Sequence, residues 1–129
     1  MKTKTIKQTV YFKASPQEIY ESLMDSKKHS KITGAKARIS NKVGGKFSAF
    51  NGWIMGENLE LEKNKKIIQS WCGDDWPEEH FSTVKFILKK YKDGTKLEFT
   101  QLKVPIKFHS KINQGWKEYY WKPMKKMLR

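Results

Sequence analysis

At 129 residues the chain has room for one domain, residues 1–129, that can bury roughly two-thirds of the surface its unfolded form exposes. Its 27 basic and 13 acidic residues give a net charge of +14, and aromatics reach 13% within a hydrophobic fraction of only 37%, so a small, ring-rich core is expected. No apolar run is long enough to span a membrane, the start M-K-T-K-T-I-K-Q lacks the apolar core of a secretory signal, and the single Cys72 excludes an internal disulfide or a thiolate cluster within one chain. A cytoplasmic protein without membrane insertion is expected.

In residues 5–12, Ile6, Gln8, Val10 and Phe12 share one face and Lys7, Thr9 and Tyr11 the other, the period-two pattern of a half-buried strand. Ser15, Pro16 and Glu18 form a helix start, with Ser as cap, Pro at the first helical position and Glu bonding back. Ile19, Tyr20, Leu23 and Met24 supply the apolar side of a short helix, and residues 25–32 add another turn or two before Gly34. Residues 36–41, 46–51, 53–61, 66–71, 82–91 and 96–103 read as strands. Tight turns are expected at Gly44-Gly45, Asn64-Lys65 and Asp93-Gly94. Pro105 ends the last strand, and a long helix is expected from His109 or Ser110 to the end, with a kink at Pro123.

On a helical wheel that last segment puts Ile112, Trp116, Tyr119, Tyr120, Pro123 and Met127 on one stripe and Lys111, Glu118, Lys122, Lys125 and Arg129 opposite. Trp121 falls off the stripe, either as a surface contact or under a loop. A helix this aromatic suits the concave side of a curved sheet. The predicted fold is therefore α+β, a curved antiparallel sheet wrapped around a long C-terminal helix, with two short helices after the first strand. Plain core packing explains the aromatic stripe; a cavity between helix and sheet, lined by Trp71, Phe86, Phe99, Trp116, Tyr119 and Tyr120, is the functional alternative.

Chemistry-bearing patterns are sparse. His29, His80 and His109 have no metal-binding spacing and read as solvent-exposed or capping; no metal or other cofactor is implied. No nucleophile elbow or Gly-rich phosphate loop is present, and Cys72 reads as a small buried filler. The lysines are dispersed and the only arginines are Arg38 and Arg129, so no specific nucleic-acid recognition is expected. The positive field would speed encounter with an acidic protein partner. One acidic concentration stands out, W-C-G-D-D-W-P-E-E-H from Trp71. It is either a solvated loop with Trp76 folded onto the core or a partner-binding loop using Asp74, Asp75, Trp76 and Glu78, with Trp121 as a further contact.

Six segments in order carry a family resemblance: F-K-A-S-P-Q-E-I-Y from Phe12, G-G-K-F-S-A-F-N-G-W-I-M-G-E-N from Gly44, I-I-Q-S-W from Ile67, D-W-P-E from Asp75, T-Q-L-K-V-P ending at Pro105, and G-W-K-E-Y-Y-W-K-P from Gly115. Together they resemble the homology domain at the C-terminal end of activators of the heat-shock protein 90 ATPase, within the START-like helix-grip superfamily. The resemblance implies a non-enzymatic co-chaperone of the stress response that binds the heat-shock protein 90 chaperone and favours its ATP-hydrolysing state. The eukaryotic activators carry a separate N-terminal domain for which this chain has no room. Stand-alone members of the superfamily imply an alternative role, carriage of a small hydrophobic ligand in the cavity between helix and sheet.

Overall fold

In the computed structural model, which describes residues 2–128, the first strand, β1 (Thr3–Phe12), alternates as expected, with Ile6, Val10 and Phe12 buried and Lys7, Thr9 and Tyr11 exposed. Helix α1 (Pro16–Met24) opens on a complete capping box in which Ser15 and Glu18 satisfy each other's backbone N–H groups. Helix α2 (Ser26–Thr33) is capped by Asp25 and ends at Gly34, whose φ of 76° provides the left-handed C-cap.

Six strands follow: β2 (Arg38–Ile39), β3 (Lys46–Ala49), β4 (Ile54–Glu62), β5 (Lys66–Gly73), β6 (Ser82–Tyr91) and β7 (Gly94–Pro105). They join β1 in one antiparallel sheet of order β1-β7-β6-β5-β4-β3-β2, the predicted meander closed by the return of β7 to β1. Strand β2 is shorter than expected, and its outer edge, facing away from β3, is covered by α2. The Ala37 N–H bonds Ser30 Oγ and the Ile39 N–H bonds Ser26 Oγ, both at 2.8 Å. Strand β3 stops at Ala49 because Phe50, Asn51 and Gly52 all take positive φ, a turn that separates it from β4.

The C-terminal helix runs as α3 (Ile106–Trp116), a π-helical turn (Lys117–Trp121) and α4 (Lys122–Met127). It starts three residues before the predicted His109 because the Ile106 N–H finds the Lys2 carbonyl at 3.1 Å, a tertiary partner replacing a side-chain cap. The disturbance predicted at Pro123 takes the form of that π turn, in which the Lys122 N–H reaches back to the Lys117 carbonyl. Pro123 has no N–H for the Tyr119 carbonyl, and its ring would crowd that oxygen in a regular helix; a widened turn relieves both problems.

The extra residue in this turn rotates everything after it. Ile112, Trp116, Tyr120, Trp121 and Met124 are buried, whereas Tyr119 is 56% and Met127 45% exposed. Trp121 is thus not a surface contact. It is 4% exposed, stacks on Trp116 at 5.6 Å and donates its indole N–H to Gln8 Oε1 at 2.6 Å. Arg129, placed by the wheel on the polar face, lies outside the described residues.

Candidate functional site

Between the helix and the open end of the sheet lies an apolar cleft of about 570 Å³, within the range of small-molecule and side-chain binding sites. The sheet contributes Ile54 and Trp71; the helix contributes Phe108, Ile112, Gly115, Trp116, Tyr119 and Tyr120. Phe50 and Trp53 enter from the β3–β4 turn, Asp75 and Trp76 from the β5–β6 loop, and Thr33 from the end of α2. The walls are rings in contact: Trp71 lies 5.4 Å from Trp76 and 5.9 Å from Trp116, Trp76 stacks on Phe108, and Phe50 meets Tyr119 and Tyr120 edge-on at 5.8 and 6.0 Å. Phe50 holds a φ of 53°, costly for a bulky side chain and maintained by those two ring contacts.

Buried hydrogen bonds position the deep wall. The Trp116 indole N–H donates to Gln101 Oε1 at 2.8 Å, Gln101 Nε2 donates to Ser82 Oγ at 3.0 Å, and the Ser82 hydroxyl donates to the Trp71 carbonyl at 2.8 Å. This chain joins the Trp116 ring to the Trp71 backbone through three strands of sheet, so the Trp116 ring cannot turn without orphaning a buried polar group. Tyr120 is anchored from behind. His29 Nδ1 lies 3.0 Å from the Leu23 carbonyl and Nε2 lies 2.8 Å from the Tyr120 hydroxyl. A carbonyl only accepts, so Nδ1 carries the proton and Nε2 accepts from Tyr120. Burial holds the His29 imidazole below its ordinary pKa and pushes the Tyr120 phenol up. The pair is neutral, and the Tyr120 hydroxyl is committed away from the cleft.

The expected site residues divide accordingly. Trp71, Trp116, Tyr119 and Tyr120 line the cleft. Phe86 and Phe99 do not; they sit in the core behind Trp116, at 5.8 and 4.4 Å. Trp76, read as part of a partner-binding loop, is 8% exposed and forms a cleft wall, so the loop and the cavity are one site. Its indole Nε1 is buried without a hydrogen-bond partner among the described residues. Asp74, Asp75 and Glu78 are exposed, and Asp75 faces the mouth together with Lys111, giving a polar rim around an aromatic floor.

Sequence reasoning missed Phe50, Trp53 and Phe108 as lining. The first two flank an Asn51-Gly52 turn but fall within the expected strands 46–51 and 53–61 on either side of Gly52, although an N-G pair between aromatics signals a turn that projects them together. Phe108 fell outside a helix taken to begin at residue 109.

None of the three histidines lines the cleft; His80 and His109 each bond a backbone carbonyl through Nε2, those of Lys103 and Thr5. Cys72 is half-buried; burial, reinforced by Asp74, raises its thiol pKa, which disfavours the nucleophilic thiolate. A preformed ring-lined cleft with a charged rim is equipped to bind.

A family model described as activator of Hsp90 ATPase homolog 1-like protein matches residues 13–129. The chain belongs to this family. Among activator-family relatives, it is 34% identical over 117 residues to the activator of 90 kDa heat shock protein ATPase homolog of Dictyostelium discoideum, covering 89% of this chain and 30% of that protein. It is 31% identical over 121 residues to homolog 1 of Homo sapiens, covering 94% and 35%. The chain thus spans about a third of the length of these curated activators. The crystal structure of an HSP90 activator from Plasmodium falciparum superposes with a TM-score of 0.90 at 28% identity, covering 96% of this chain and 95% of that one.

Proposed function

We propose that this chain is a non-enzymatic, cytoplasmic co-chaperone that binds the heat-shock protein 90 chaperone through the aromatic cleft and its acidic rim, and supports its ATP turnover. The observation that carries the reading is the similarity to the Plasmodium HSP90 activator over nearly the full length of both chains. The geometry agrees with it: Trp53 and Tyr119, 36% and 56% exposed, stand at the mouth of a preformed ring-lined cleft, the arrangement of an interface hot spot. The test is calorimetric titration of the purified chaperone, with and without an ATP analogue, with turnover followed in the same samples. Tighter binding with the analogue and faster turnover are expected, and Tyr119→Ala should weaken binding at least about tenfold. No binding at physiological salt sinks the proposal.

The alternative reading is carriage of a small hydrophobic ligand in the same cleft, whose volume of about 570 Å³ could hold one. Native mass spectrometry against a panel of apolar ligands separates the two, because a carrier shows a stoichiometric adduct and a dedicated docking cleft does not.

A further inference from the structure

A second concavity shares no lining residue with the aromatic cleft. It runs between β1 and the outer side of the C-terminal helix as two adjoining pockets that have Lys122 and Lys125 in common. Gln8, Thr9 and Val10 border the first, and Tyr11, Phe12 and Lys13 the second. Successive strand residues point to opposite faces, so six consecutive residues can all border one groove only through the edge of the strand. β1 is an edge strand, paired with β7 alone. Among the described residues no backbone partner lies on its other side between Lys7 and Lys13. At about 3.4 Å per residue this edge is on the order of 20 Å long.

The groove is one-sided in charge. Lys13, Lys117, Lys122, Lys125 and Lys126 border it, against the single acid Glu118, which is already held by Gln114 Nε2 at 3.1 Å. The ion pairs among the described residues join Lys28 to Glu21, Lys65 to Glu62, Lys66 to Glu60 and Lys89 to Glu98. None uses a groove lysine.

We infer that this groove binds an extended acidic segment of a partner protein, which adds to the open edge of β1 as a further strand while its carboxylates meet the lysines. Main-chain pairing supplies the affinity and charge supplies the selection. Nucleic acid fits less well, because the bordering cations are all lysines and a strand edge offers its alternating N–H and C=O groups to a peptide backbone rather than to phosphates. A flat anionic membrane cannot follow a concave channel. The inference is independent of the chaperone reading, since it uses the opposite side of the helix.

The test uses a fluorescein-labelled decapeptide of alternating Glu and Thr, with fluorescence anisotropy and amide NMR shifts as readouts. Binding is expected with shifts confined to Gln8–Lys13 and Lys117–Lys126. Lys122→Gln with Lys125→Gln should weaken it roughly five- to tenfold, whereas Lys63→Gln with Lys65→Gln, which removes the same charge at the β4–β5 turn, should change it less than about twofold. The same peptide N-methylated at alternate amides should lose most of its affinity. Equal losses from the two lysine pairs, undiminished binding of the methylated peptide, or tighter binding of a dT 12-mer or of phosphatidylserine vesicles would each overturn the inference. None of these outcomes depends on heat-shock protein 90, so failure here leaves the chaperone proposal standing.

Discussion

Replacing Trp121 by Ala tests the π-helical turn directly, because a regular helix would leave this ring outside the core. In the structure it is 4% exposed and packs on Trp116, Phe12 and Phe99 with ring separations of 5.6, 6.3 and 5.5 Å. Truncating a buried Trp costs about 3–5 kcal/mol, and losing the 2.6 Å bond to Gln8 Oε1 adds on the order of 1 kcal/mol. The sum, about 4–6 kcal/mol, is a large part of the roughly 5–15 kcal/mol that holds a domain folded. In urea, with a slope of about 1.5 kcal/mol per M, the midpoint should fall by more than about 2 M. Trp121→Phe keeps most of the packing and should cost only about 1–2 kcal/mol, which preserves a folded variant for comparison. Tyr119→Ala removes a side chain that is 56% exposed and should cost under about 1 kcal/mol. If Trp121→Ala costs less than Tyr119→Ala, the register assigned to the π turn is wrong.

Further outcomes follow from the same geometry. Because burial lowers the His29 pKa in the folded state, the unfolded chain binds more protons near its ordinary value of 6.5; stability from this group is complete above that pH and is lost as pH falls below it. Melting curves between pH 7.5 and 5 should show this slope, and His29→Asn should flatten it. A Cβ at Gly56 would run into the Ser70 carbonyl oxygen and stand 2.7 Å from Phe47 Cε1, so Gly56→Ala should destabilise by about 2–3 kcal/mol in denaturant titration. At Gly115 the nearest atom to an added Cβ is Tyr119 Cδ2 at 3.8 Å, so Gly115→Ala should raise stability by roughly 0.5–1 kcal/mol while narrowing the cleft, and chaperone binding should weaken in a more stable protein. Cys72, with its thiol pKa raised, should react with iodoacetamide at pH 7.5 several-fold more slowly than a free thiol.

Local chemistry in the chain determined most of the architecture. Alternation in β1, β6 and β7, the Ser15–Glu18 capping box and the Gly34 stop each act within a few residues, so their signals survive without any tertiary context. The same holds for four of the cleft's eight rings: Trp71, Trp116, Tyr119 and Tyr120 follow from strand ends and helical spacing. What only the tertiary structure decided depends on partners distant in sequence. The first turn of α3 exists because the Lys2 carbonyl meets Ile106, and the outer edge of β2 is closed because α2 serines take its outward donors. The inward turn of Trp121 combines a local cause, the missing N–H and crowding ring of Pro123, with a distant one, the Gln8 side chain that receives its indole. A helical wheel assumes a constant angle per residue, and one inserted residue is enough to exchange the exposed ring for the buried one.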